Sequence, residues 1–220
     1  MRPSTTRMCF RQACVLTLVA ALNGCALGGG EGATPTAYDF GPQPAYAKSN
    51  PAIAGALLIP AVAAPAWLDD ADIVYRLLYA DSARPQSYAM SRWAAGPASL
   101  LTDRLRSRFA VASDGVVTPG YSVQSDYTLR IELEDFTQRF DAPGQSRGSL
   151  RARATLLDTH ERRLLAQREF DIERPAAPNA AGAVKALSES ADVFLEELVK
   201  WTAQNVRTSR ETARAVSGER

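Results

Sequence analysis

From Asp126 to Phe136 the chain alternates with a period of two. Tyr127, Leu129, Ile131 and Leu133 fall on one side, and Asp126, Thr128, Arg130, Glu132 and Glu134 on the other. That is the pattern of a β-strand with one buried face and one wet face. A strand of this kind needs neighbours in a sheet and a layer over its apolar face, and the residues that follow supply the neighbours. After a turn at Asp141 to Gly144, marked by Pro143, the residues Leu150, Ala152, Ala154 and Leu156 alternate with Arg151, Arg153 and Thr155. A connection at Asp158 to Arg162 then leads to Leu164–Glu173, where Ala166, Arg168, Phe170 and Ile172 share a face. Three consecutive strands with short links imply an antiparallel meander.

The covering layer is also legible. Leu101, Leu105 and Phe109 recur at intervals of four among Asp103, Arg104, Arg106 and Arg108, which predicts an amphipathic helix. Ser91 is its expected N-cap and Pro97 lies in or near its first turn. A second helix is expected from Asn179 to Val206, with Val184, Leu187, Ala191, Phe194, Leu195, Leu198 and Val199 at helical spacing. Ahead of these, Ala56–Val62 reads as a buried strand and Trp67–Asp70 as a short turn. Asp72–Leu78 reads as a strand with Ile73, Tyr75 and Leu77 on one side, Ser82–Gln86 as a hairpin connection, and Ser87–Met90 as a short strand. The fold class is therefore α+β: a single domain whose mainly antiparallel sheet is covered on one face by two helices.

The amino terminus carries an address. Arg2, Arg7 and Arg11 form a positive region without acids, and Ala13–Leu22 is an uncharged, largely apolar run of ten residues. A bilayer span needs about 20, so this run reads as the core of a signal peptide. The next residues, Leu22-Asn23-Gly24-Cys25, resemble the bacterial lipoprotein box, in which the cysteine is alkylated by a diacylglyceryl group, the chain is cut before it, and the new amino group is acylated. Residues 1–24 are then the signal peptide, and Cys25 carries the only lipid groups expected, with no other cofactor. Residues 25–37 form the lipidated cysteine and a glycine-rich tether, whose twelve residues after Cys25 reach roughly 17–21 Å. The folded domain is expected over 38–207 and a disordered tail over 208–220, a polar stretch without large apolar groups. Ala26, where an Asp would favour the inner membrane of a Gram-negative cell, leans towards the outer membrane facing the periplasm.

Cleavage also removes Cys9 and Cys14, leaving no second thiol for a disulfide. It turns a near-even balance, 25 Lys+Arg against 24 Asp+Glu, into a slight excess of acid. Nucleic acid is excluded as a partner, since neutralising phosphates needs a clear basic surplus. One His rules out a histidine metal cage. His160 falls in the Asp158–Arg162 connection with no second His near it. The acids Asp69, Asp70 and Asp72 read as a solvated turn, and no nucleophile elbow or phosphate loop is present. The chain is not expected to be an enzyme.

Five features in order carry a family resemblance: Tyr38-Asp39-Phe40-Gly41-Pro42, the LLIPAV run at 57–62, Trp67-Leu68, Ile73-Val74-Tyr75-Arg76, and Trp93 opening a helix that ends in LTDRLRSRFA. Together they resemble the ABC-type transport auxiliary lipoprotein family, which includes the paraquat-inducible lipoprotein type. The resemblance implies a non-catalytic partner of an ABC transport system with a mammalian-cell-entry (MCE) type substrate-binding protein, moving lipid between the inner and outer membranes. It also implies a homo-oligomer. Tyr75, Arg76 and Trp93 are candidates for the partner-binding surface; as core and capping residues they would instead join helix to sheet. A small α+β domain on a lipid anchor also suits an outer-membrane assembly lipoprotein partnering a β-barrel machine.

Overall fold

The computed structural model describes residues 34–44, 53–120 and 123–218. The chain divides into a unit over Met1–Thr34 and a unit over Pro35–Arg220. Cys25, the signal peptide and most of the tether lie outside the described residues, so the domain from Pro35 onwards is what the structure defines.

The described residues of that domain form an eight-stranded open sheet with three helices. The strands are β1 (Thr36–Tyr38), β2 (Ile53–Leu58), β3 (Asp72–Leu77), β4 (Asp81–Trp93), β5 (Ser113–Val117), β6 (Tyr127–Ala142), β7 (Gln145–Asp158) and β8 (Arg163–Ala176). The helices are α1 (Ala66–Asp69), α2 (Pro97–Ala112) and α3 (Ala180–Gly218). The expected meander is present: β6, β7 and β8 pair antiparallel along nearly their whole length. Pro143 and Gly144 make the first turn, with Gly144 at φ 79°, and the second runs through Arg162, also left-handed at φ 52°.

The strand β6 organises the rest of the sheet. One edge pairs with β7, and the other is shared end to end by two parallel strands. Its start takes β2 (Leu57 opposite Tyr127), its middle an isolated bridge from Ala63 to Glu132, and its end β3 (Tyr75 opposite Gln138). A bulge at Leu133/Asp135 adds Glu134 as an extra residue. That shift reverses the alternation, so Phe136 and Phe140 join Leu129, Ile131 and Leu133 in the core, where strict alternation would have sent them outward.

The two long helices cover the apolar face. Phe170 of β8 meets Phe194 and Trp201 of α3 edge-on. At Gly148 of β7 a methyl group would lie 2.9 Å from Ala186 Cβ, so the helix backbone sits directly on the strand. The opposite face is a lattice of charge. Arg153 reaches Glu132, Glu134 and Glu169, and Arg147 pairs with Asp141 and Glu173. Cross-strand register places Glu132, Arg153 and Glu169 in one row, as expected for a solvated sheet face.

Several sequence expectations are corrected. Residues 36 and 37, assigned to the tether, belong to β1, which pairs parallel with the end of β4. Ser82–Gln86 is not a connection but part of β4; the turn comes earlier, at residues 78–80. Trp93 closes that strand rather than opening a helix, and α2 starts at Pro97 with Gly96 as its cap. Gly96 is required there, because a Cβ would lie 2.3 Å from the Asp69 carbonyl oxygen. Residues 208–218, expected to be disordered, continue α3. They hold no Pro and no Gly before Gly218, and Arg210 donates to the Ala54 carbonyl. Solvent-exposed arginine, glutamate and alanine are good helix formers even where nothing packs on them.

Candidate docking surface and tether attachment

The first described residues of the folded domain are fastened from beneath. Phe40 packs edge-on against Trp93, with ring centres 5.4 Å apart, and tilted against Phe136 at 5.5 Å. Arg104 of α2, only 4% exposed, donates from Nη1 to the Phe40 carbonyl (2.7 Å) and from Nη2 to the Pro42 carbonyl (3.2 Å). Its Nε lies 3.1 Å from Asp192 Oδ1 of α3, an ion contact without hydrogen-bond alignment. Burial holds the Asp192 carboxyl above the ordinary range; Arg104 pulls it down, and Glu196 and Glu189 push it up. A cleft of about 520 Å³ opens beside this clasp between residues 37–42 and α3. The sequence reading grouped Arg104 with the polar face of its helix; nothing in the period of four distinguishes it from Arg108, which pairs with Glu196.

The three candidate partner residues separate. Trp93 is 1% exposed and lies in the core, so it presents no contact surface. Its position opposite Tyr38, at the far end of β4 from the Tyr75–Gln86 pair, also keeps it away from the other two. Tyr75 is half-buried, stacked obliquely on Tyr88 and edge-on to Phe140, and donates to Gln86 Oε1. Arg76 points to the other face of β3. Its guanidinium sits 5.0 Å above the Trp67 ring and donates to the carbonyls of Ser82 and Ala83. Trp67, which the sequence reading placed in a turn and among the features of the family resemblance but not among the partner-binding residues, is 39% exposed. Arg76 therefore holds an exposed indole in place.

The described residues contain no group of three or more His, Cys, Asp or Glu able to hold a metal. His160 stands 3.5 Å from Asp126 in the β7–β8 connection, both well exposed.

The family model of the ABC-type transport auxiliary lipoprotein component matches residues 38–199. The chain belongs to that family. The match begins at the Tyr38–Pro42 segment held by Arg104 and ends in the buried part of α3. The fold of this auxiliary lipoprotein is similar to that of a Xanthomonas campestris protein of known crystal structure, with a TM-score of 0.66 and 23% identity over 81% of this chain and 98% of that one. A second solved structure, of an uncharacterised protein, aligns with a TM-score of 0.54 and 19% identity over 76% of this chain and 97% of its own. Both likenesses concern the fold alone. No curated protein matches the chain. As the family is one of lipoproteins, membership implies membrane anchoring; among the described residues no helix is long and apolar enough to cross a membrane.

Proposed function

We propose that this auxiliary lipoprotein is the outer-membrane, periplasm-facing end of an ABC transport system with an MCE-type substrate-binding protein, and that the system moves lipid between the two membranes. The observation that carries the reading is the family match over 38–199, joined to a lipoprotein box at Leu22–Cys25. In this reading the acyl chains on Cys25 hold the membrane. Each buried CH₂ contributes about 0.8 kcal/mol, so several chains anchor durably where one does not. The protein acts without cofactor and without catalysis, as a docking module that binds a protein and not nucleic acid. Arg76 serves the docked face by holding Trp67, Tyr75 lies on the opposite face of β3, and several copies assemble around the partner.

Two experiments test it. Labelling cells with radioactive palmitate should mark the wild type and leave Cys25→Ala unlabelled. The genes adjoining this one should encode an ATPase, a permease and an MCE-type protein; a neighbourhood of β-barrel assembly genes would favour the alternative assembly role.

A further inference from the structure

We infer that the surface formed by Ala61, Ala63, Pro65, Ala66 and Trp67 is the docking site for a segment of the transport partner that carries an apolar side chain flanked by basic residues. The inference rests on the proposed function in one respect, that a protein partner exists.

From Ala56 to Leu68 the chain holds thirteen residues without one polar side chain. Four of those residues explain themselves, because Leu57, Ile59, Val62 and Leu68 are buried. The outward positions do not. Ala61, Ala63, Pro65, Ala66 and Trp67 are all exposed, where a solvated strand and turn would carry polar groups. Single exposed alanines mean little, but a contiguous apolar strip ending in an exposed tryptophan is the composition of an interface core. Beside the strip lies a groove of about 400 Å³ lined by Ala63, Ala64, Pro65 and Leu133, with Glu132 and Glu134 as its acidic wall.

Topology explains why the groove is there. The chain leaves the edge of β6 after Ala63 and rejoins it at Tyr75, making α1 on the way. The bulge at Glu134 falls within this gap. Bulges next to such breaks re-aim side chains and end pairing. Trp67 is positioned as well as exposed, because Arg76 lies over its ring. An anchored aromatic loses less freedom on binding than a loose one.

Charge selects the occupant. Glu132 and Glu134 wall the groove, and the exposed Asp69 and Asp70, with Asp72, follow Trp67 in the chain. Among the described residues Arg153 bridges Glu132 and Glu134 and Arg92 stands opposite Asp72 across β3 and β4, while Arg76 is spent on Trp67 and two carbonyls, so the acids outnumber the cations beside them. The net negative rim repels an anionic phospholipid surface and attracts a segment with lysine or arginine beside its apolar anchor.

The test places a photo-reactive amino acid in the full-length lipidated protein, in its own membranes, at Ala63 or Ala66, and in parallel at the exposed Met90 and Leu164. The expected result is a cross-link from 63 and 66 to one component of the transport system, with little at 90 or 164. Asp69→Lys with Asp70→Lys should lower that yield by about tenfold without changing the thermal midpoint. Cross-links to the transport component from 90 or 164 but not from 63 or 66 would overturn this surface and leave the proposed function standing. Cross-links from 63 and 66 only to lipid or to a second copy of the chain would overturn the stated occupant. Absence of cross-links at all four positions, with no transport component co-purifying, would overturn both the surface and the function.

Discussion

Arg104 Nε lies 3.1 Å from Asp192 Oδ1, and the same guanidinium holds the carbonyls of Phe40 and Pro42. One side chain thus ties the first residues of the folded domain to both long helices. Arg104→Met removes the ion pair and both hydrogen bonds and leaves buried acceptors unpaired. The expected loss is about 3 kcal/mol, at the lower end for a broken buried pair because Asp192 keeps partial access to water. Urea unfolding measures it; a midpoint within error of the wild type would show that the clasp is ornamental.

Two tryptophans should respond oppositely. Trp93, packed on Phe40 and Phe136, is core, and Trp93→Ala should cost about 3–5 kcal/mol. Trp67→Ala, at an exposed site, should change stability by less than about 1 kcal/mol while weakening partner capture. Thermal unfolding and co-purification, measured on both variants, separate the roles.

The contrast between these tryptophans also marks what the sequence could disclose. The meander of β6, β7 and β8 was legible because each strand has one wet and one dry face, which writes a period of two into the residues. The strand β4 was legible only in its second half, at Ser87–Met90: the polar stretch 82–86 carries Pro85 and is mostly exposed, so it alternates nothing and reads as a loop. The three-residue β1 is too short to show a period, and β5, Ser-Asp-Gly-Val-Val, opens like a turn. Past Leu133 the alternation reverses at a bulge, which no composition signal announces. For the site, Arg76 was singled out in a pattern that does point to it, whereas Trp67 became visible only when its exposure was known. Arg104 became visible only when its carbonyl partners, more than sixty residues away in sequence, were known.

Tyr88 provides a pH test. Its hydroxyl donates to Gln138 Oε1 at 2.6 Å, and burial, with Tyr75 second, pushes its pKa up to about 12 from 10.0. The folded state therefore keeps this proton where the unfolded chain releases it. The stabilisation is fully present below pH 10 and is lost as pH rises through about 12. Tyr88→Phe should remove that dependence and cost about 1–2 kcal/mol at neutral pH, since Gln138 is buried and loses a donor. Denaturant midpoints between pH 9 and pH 12, wild type against variant, check the sign.

Glycine substitutions offer a steric control. Gly96→Ala drives a methyl group to 2.3 Å from the Asp69 carbonyl oxygen and should cost about 2 kcal/mol or more, because backbone must move. Gly115→Ala meets nothing within 4 Å and should be neutral or stabilising by about 0.5 kcal/mol. Equal effects in thermal unfolding would contradict the packing of α1 against the start of α2.

The proposed function stands on the docking of a lipid-anchored domain on a transport partner. The most direct measurement is purification of the full-length lipidated protein from its own membranes after mild cross-linking, with mass spectrometry of what comes with it. The expected result is an MCE-type protein together with its permease and ATPase, depleted when Trp67 is replaced by Ala. Recovery of β-barrel assembly components in their place, or of no transport component at all, would contradict it.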